Sequence, residues 1–447
     1  MVPSTMALFK INKKLNNMTL RYIQLLVLTV LLTVSCKEKN AQITNTEDYN
    51  SFLELEPNKT LGYAKEEHEF WETKLNENPE QFPYLAQLAA SESTLFQASG
   101  TIDYLKNAEE NLRMLNTKAH FNNTGYIRAL ARNFISQHKF SEALDVLMKA
   151  EKLGESLSAT QKMLFDVHLE LGHIDQAKHY LDMIKDLSDF DYLIRLSKWS
   201  DHNGQLEAAI NYMEKAMLIA ESSGLDHLKQ WTYSNIADYY GHAGDIENSY
   251  KHYLKSLQID AKDAYALKGI AWIVYSYERN ADEAMRILNT IDEFYVAPDY
   301  YLLKAEIAEF QGDDINKKLA IENYHKLISN PAYGDMYNVH TAMLNIDEQR
   351  DFEEAIRIAE HEVELRPTAQ SYDLLAWAYY NNGDINEASR ILKDYVLDKT
   401  FEPTAMYHAA IILKSVNDIE GLEALKKELL DSIYELGPTM EPKIQAI

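Results

Sequence analysis

From Ala143 onward, polar and apolar positions recur at a near-constant interval. Small residues stand at Ala143, Ala177, Ala209, Ser249, Ala284, Ala320, Ala355 and Ala388, spaced by 34, 32, 40, 35, 36, 35 and 33. Four positions after each comes Leu147, Leu181, Met213, Tyr253, Leu288, Tyr324, Ala359 or Leu392. Residues four apart share one face of a helix, so each pair marks a helix whose buried stripe starts with a small side chain. Five positions before four of the small residues stand Gly172, Gly204, Gly244 and Gly383, where a preceding helix ends and the chain turns. Small residues let two antiparallel helices approach at their crossing, and the larger ones fill the groove with the next pair. Each unit therefore buries its face only by stacking on neighbours. Further helical spacing at 84–115 and 404–434 flanks the array, and a leading helix at about 63–75, with Phe70 and Trp71, caps its start.

These residues resemble the tetratricopeptide repeat, in which an aromatic, a leucine and a small residue mark the first helix, and an alanine and an aromatic the second. The clearest copy is Tyr372, Leu375, Ala376, Tyr379, Gly383, Ala388 and Leu392. A second is Tyr233, Ile236, Ala237, Tyr240, Gly244, Ser249 and Tyr253, followed by Ala261 where the family favours proline. Ile127, Leu130, Ala131, Phe134, Ala143, Leu147 and Ala150 make a third. Departures are local: His168 and Ser200 take the usual tyrosine position, Gln311 does so before a longer turn, and only Pro367 keeps the closing proline. The resemblance implies an all-α, right-handed superhelical solenoid of about nine to ten antiparallel helix pairs over 61–435, followed by a short tail at 436–447. It also implies a protein or peptide partner in the concave groove, and it is almost silent on which partner.

In that family, positions two, five, nine and twelve of the first helix point into the groove. Arg128 and Arg132 fall on the fifth and ninth positions of one repeat, Lys162 on the fifth of the next, and Lys198 on the ninth of the third. Such a basic stripe would grip an acidic segment or a chain terminus by charge-assisted hydrogen bonds. The competing reading is a solvated helix surface paired with Asp166 or Asp201. Trp231 at position two, and Trp377 and Tyr380 at nine and twelve, form a second candidate surface, for peptide or sugar, set against an ordinary core role.

The first forty residues carry a different signal. Lys10, Lys13, Lys14 and Arg21 precede an apolar run from Ile23 to Val34, too short to cross a bilayer of roughly 30 Å but suited to a secretory signal. Leu32-Thr33-Val34-Ser35-Cys36 resembles a bacterial lipoprotein signal, with Thr33 where that family usually has leucine. The resemblance implies removal of 1–35, with Met1 or Met18 as the start, and a lipid on Cys36 that holds the protein on a membrane. Lys37 gives no strong inner-membrane retention signal, which favours the outer membrane, with the solenoid in the periplasm or at the cell surface. The polar stretch 36–60 reads as a flexible tether.

Composition narrows the classes further. With 15 Gly and 10 Pro in 447 residues the chain is poor in turn formers, as an all-α array requires. Beyond residue 35 it carries 69 acids against 40 bases, which opposes general nucleic-acid binding. Cys36 is the single cysteine, so there is no internal disulfide and no CxxC motif. His68-Glu69 and His361-Glu362 open like zinc-protease motifs, but Glu72 and Leu365 stand where the second histidine must be. No glycine precedes a lysine, so there is no phosphate-cradling loop, and no serine is flanked as in a nucleophile elbow. His168, His242 and His340 are expected on helix surfaces or as turn caps. The expectation is a membrane-tethered adaptor with no catalytic, cofactor or metal site. Its rival is the starch-utilisation type of lipoprotein, which joins a lipid anchor and tetratricopeptide helices to sugar-binding aromatics. That type carries long insertions between helices, and this chain has almost none.

Overall fold

The computed structural model describes residues 41–54, 57–418 and 421–447, so the apolar run and Cys36 lie outside the described residues. Described residues 42–447 form one compact unit, all helical and without a strand. It opens with α1 (Thr46–Tyr49) and α2 (Lys59–Glu77). Five antiparallel pairs follow: α3 (Tyr84–Ser99) with α4 (Ile102–Lys118), α5 (Thr124–Ser136) with α6 (Phe140–Leu153), α7 (Leu157–Glu170) with α8 (Ile174–Met183), α9 (Phe190–His202) with α10 (Leu206–Ser223), and α11 (Asp226–His242) with α12 (Ile246–Ile259). Five more complete the array: α13 (Ala264–Trp272) with α14 (Ala281–Ile291), α15 (Pro298–Gln311) with α16 (Asp314–Ile328), α17 (Asn338–Leu344) with α18 (Phe352–Leu365), α19 (Ala369–Asn381) with α20 (Ile385–Ile391), and α21 (Pro403–Ser415) with α22 (Leu422–Asp431). Helices α23 (Ile433–Leu436) and α24 (Met440–Gln445) close the chain. The 436–447 stretch is thus part of the fold, and Ile444 is fully buried.

The periodic small residues do what their spacing demands. Seven of the eight, all but Ala320 at 6%, are 0% exposed, and the partners four positions on are at most 4% exposed. The turn inside each pair is built on a left-handed residue. At Gly172, Gly204, Gly244 and Gly383, φ lies between 69° and 91°. The following N–H then reaches back to the end of the first helix, as in His173 N to His168 O at 2.8 Å and Asp245 N to Tyr240 O at 2.8 Å. Asp245 and Asp384 next cap the second helix, accepting from the N–H groups of Asn248 and Glu387. His138, Arg279 and Arg350 take the same left-handed position without being glycine.

Successive pairs wind far enough for one turn of the superhelix to touch the next. Val296 N donates to Ser99 O at 2.9 Å. Gly172 lies against the backbone of Pro367, Gly204 against the ring of Phe401, and Gly241 against the ring of Tyr434. Each contact joins residues roughly 195 apart, between five and six periods of about 34 residues. At Gly172 an added Cβ would meet the Pro367 carbonyl oxygen at 2.7 Å, so the seam there is backbone on backbone.

Residues 42–54, in the stretch read as a tether, form a strap docked on α12 to α14. Glu278, buried at the end of the α13 segment, accepts from Ile43 N at 2.8 Å, Thr44 N at 2.6 Å and the Thr44 hydroxyl at 3.0 Å. Tyr49 is fully buried and its hydroxyl donates to Glu283 at 2.7 Å, while Lys262 donates to Phe52 O at 3.1 Å. The helix read as starting near residue 63 begins at Lys59.

Candidate functional site

The first helices α5, α7 and α9 carry the four basic candidates, and a ladder of polar contacts ties Lys162 and Lys198 to the neighbouring first helices. Lys162 on α7 reaches Asp189 at 2.9 Å and Asp191 at 3.0 Å, at the start of α9. Arg195 on α9 returns to Asp166 at 2.6 Å and to the Lys162 carbonyl at 2.9 Å. Lys198 meets Glu170 at 2.8 Å. Burial alone would raise Glu170, but Lys198 outweighs it and holds the carboxyl below its usual range. Likewise burial would lower Lys198, and Glu170 and Asp166 hold the ammonium above its ordinary value. Lys162 and Lys198 are therefore matched to carboxylates of neighbouring first helices, though Lys162 pairs with Asp189 and Asp191 and not with the Asp166 or Asp201 of the competing reading. Arg195, which no motif flagged, completes the ladder.

The two arginines differ. Arg128 donates to Thr160 Oγ1 at 3.2 Å and to the Glu155 carbonyl at 3.4 Å, and Arg132, one helical turn away, is exposed. Neither has a carboxylate within ion-pair distance among the described residues. Burial lowers Arg128 below its ordinary value against the pull of Glu155, and the like charge of Arg132 adds to that lowering.

The aromatic candidates separate as well. Trp231 is 42% exposed and meets Phe190 edge-on at 6.1 Å. Trp377 is 8% exposed, stacked flat on Tyr380 at 5.2 Å and on His408 at 4.2 Å, and its indole nitrogen has no hydrogen-bond partner among the described residues. His408 is fixed by Asp373 at 2.9 Å. His168, expected on a surface, is buried instead. It stacks on Tyr180 at 5.4 Å, and burial together with His173 pushes its imidazole down to about 4. The physical reason is its place in the repeat: the usual tyrosine position packs between helices, whatever residue occupies it. His242 and His340 do lie on accessible faces. Among the described residues no group of three or more ligand side chains is arranged to hold a metal ion.

A second group emerges only from the winding. Asp201 on α9 and Asp238 on α11 belong to one turn of the superhelix, and Glu402 before α21 and Glu435 on α23 belong to the next. Burial raises all four carboxyls; Asp201 adds to the rise at Glu402, and both Glu402 and Asp201 add to it at Glu435. Asp238 accepts from the hydroxyl of Tyr253 and, at 2.6 Å, from that of Tyr265. No sequence signal marks these residues as neighbours, because they are brought together by seam contacts that join distant repeats.

Residues 232–263 and 368–394 match the tetratricopeptide repeat family. With the ten stacked pairs, these matches define a tetratricopeptide-type superhelical solenoid. No curated protein matches the chain in sequence. Solved structures with a similar course include a human IFIT1 dimer with m7Gppp-AAAA, 13% identical, covering 73% of this chain and 75% of that one, with a TM-score of 0.45. The pilF protein of Pseudomonas aeruginosa is 14% identical over 48% of this chain and 96% of its own, with a TM-score of 0.35. A tetratricopeptide repeat protein from Parabacteroides merdae is 16% identical over 55% and 93%, with a TM-score of 0.37. At these scores the reading of the site rests on this chain's own residues.

Proposed function

We propose that the protein is an interaction scaffold that grips an acidic segment of a partner protein along its inner helices, tethered to a membrane of the bacterial envelope by a lipid on Cys36. The observation that carries the reading is the pair Arg128 and Arg132. In a chain of net charge −25, two guanidinium groups one helical turn apart stand on α5 with no carboxylate within ion-pair distance among the described residues, while Lys162, Arg195 and Lys198 on the next first helices are matched. Like charges at this spacing destabilise a helix by a few tenths of a kcal/mol, so the pair has a cost that an incoming carboxylate would relieve. Arginine suits that task because its fork takes a carboxylate in bidentate form.

The test is affinity capture from detergent-solubilised membranes with the unaltered chain and with Arg128→Glu/Arg132→Glu. Loss of a stoichiometric partner in the charge-reversed form supports the reading, and unchanged recovery ends it. Anchoring is tested separately, since Cys36→Ser should move the protein from the membrane to the soluble fraction. A sugar platform is less favoured because Trp377 is packed under Tyr380 and His408, which leaves Trp231 as the more exposed of the two tryptophans.

A further inference from the structure

We infer that the groove between α2 and α3, at the end of the array, is the docking site for one amphipathic helix of a partner protein, with an apolar stripe flanked by lysine or arginine. The site lies away from α5 and does not depend on the gripping of an acidic segment there. Helix α2 packs on α3 as second helices elsewhere pack on the first helix of the next pair, so α2 is a second helix without a first. The stretch that would supply one is the strap at 42–54, which is tied instead to Glu278, Glu283 and Lys262. Where pairs are complete, successive first helices touch: on α9, Lys198 meets Glu170 and Trp199 meets Phe165 at 6.5 Å, both on α7. The buried residues Leu85, Ala89 and Glu92 of α3 stand in register with Leu193, Ser197 and Ser200 of α9, so Ala90 and Ser91 take the places of Lys198 and Trp199. Those two residues line a groove of about 650 Å³ together with Tyr63, Ala64, Glu67 and Phe70 of α2. The groove thus coincides with the seat of the missing first helix.

Its surface is made for contact. The last helix of a solenoid has no neighbour to cover it and keeps the molecule soluble by being polar on its outer face. Here Tyr63 is 68% exposed and Phe70 52%, two turns apart on one face of α2. The small residues Ala64, Ala90 and Ser91 beside them let a helix approach closely, as small residues do within the pairs of this array. A groove of this kind takes the anchors i, i+3, i+4 and i+7 of an incoming helix. Charge then selects the partner. The lining holds two carboxylates, Glu66 and Glu67, with no lysine or arginine among the described residues, and neither carboxylate has an ion-pair partner there. A second copy seated through the same groove would bring an α2 with five acids against three lysines, and so more like charge. A basic amphipathic helix covers the aromatic rings and matches the acids at once.

The probe is a fluorescently labelled, N-acetylated, C-amidated peptide of 14 residues, the length of α7, made of leucine, alanine and lysine with leucine at i, i+3, i+4 and i+7. Its anisotropy, titrated with the full chain, should saturate in the micromolar range. Tyr63→Ser/Phe70→Ser and, separately, Glu66→Lys/Glu67→Lys should each weaken binding about tenfold or more. Leu218→Ser, which removes a side chain 62% exposed on α10, should leave binding unchanged, and so should Arg128→Glu/Arg132→Glu, which keeps this site distinct from the one on α5. Absence of saturation up to about a millimolar overturns the proposal. So does equal binding of a peptide of the same composition with its leucines spread around the helix, which would mark diffuse attraction to an acidic protein. Sedimentation of the chain alone is the second measurement: a dimer that Tyr63→Ser/Phe70→Ser turns into a monomer would give the groove to a second copy and overturn the proposal as well. Unchanged thermal melting of that variant separates loss of the site from loss of the fold.

Discussion

Replacing Glu278 by alanine tests whether the strap at 42–54 is held by one carboxylate. That side chain is 8% exposed and accepts three hydrogen bonds from the strap, at 2.6 to 3.0 Å. A hydrogen bond to a charged acceptor contributes roughly 1.5–3 kcal/mol, but two of these donors share one oxygen and water would partly replace the acceptor. The expected loss is about 3 kcal/mol. It has a ceiling: once the strap peels away nothing further is lost, because the helix pairs beneath keep their own contacts. The consequence is local opening and not global unfolding. By hydrogen exchange, the amides of Ile43, Thr44 and Tyr49 should exchange about a hundredfold faster in Glu278→Ala, while those of α6 and α19 stay within a factor of about three. Glu278→Gln, which keeps an acceptor but not the charge, should fall between. Strap amides exchanging at the original rate in the alanine variant would refute the reasoning.

Three more outcomes follow from single residues. Arg350 holds φ at +58°, so Arg350→Gly should stabilise the chain by about 1 kcal/mol in urea unfolding, and a loss of stability would contradict the left-handed turn. Gly172→Ala should cost at least about 1 kcal/mol more than Gly244→Ala: both residues hold positive φ, at 70° and 76°, but only the first meets a neighbouring backbone. Equal costs would mean that the seam bears no load. Burial raises Glu306 to about 7 despite hydrogen bonds from Tyr275 and Thr439, so the folded state keeps a proton that the unfolded state gives up near pH 4.5. Its contribution is therefore greatest in acid and fades as pH rises to about 7. The resulting fall, on the order of 3 kcal/mol, should flatten in Glu306→Gln if thermal melting is followed across that range.

The repeat was legible in the sequence because it rests on local spacing. Ala143 and Leu147, or Ala388 and Leu392, are four apart and buried for the same reason in every pair. The turn was legible where glycine marks it and hidden where His138, Arg279 and Arg350 adopt the same backbone, since stacking on both sides fixes that turn whatever the residue. The strap was illegible: its sequence is polar, and its partners are the carboxylates of Glu278 and Glu283 more than two hundred residues away. Arg195 escaped notice because its value lies in Asp166, a partner on another helix. The seam was illegible too, since its angle depends on small rotations summed over five or more pairs, which no single residue encodes.

The closed seam changes what the inner surface of such an array offers. An open solenoid presents one continuous groove, and its charge pattern is read along the first helices in order. Here the order is interrupted. Between α7 and α9 the cations are matched to carboxylates one repeat away, so that stretch holds pairs together. Beyond that stretch, the guanidinium groups of α5, where the row of cations begins, have no carboxylate within ion-pair distance among the described residues, and the second turn brings the carboxylates of Glu402 and Glu435 against the first. They have opposite signs, and at physiological salt, with a screening length of about 8 Å, each acts on a ligand through its own immediate surroundings and not through the net charge of −25. A large negative total is thus compatible with an acidic partner at α5, because the field that matters there is set by Arg128 and Arg132 at hydrogen-bonding range.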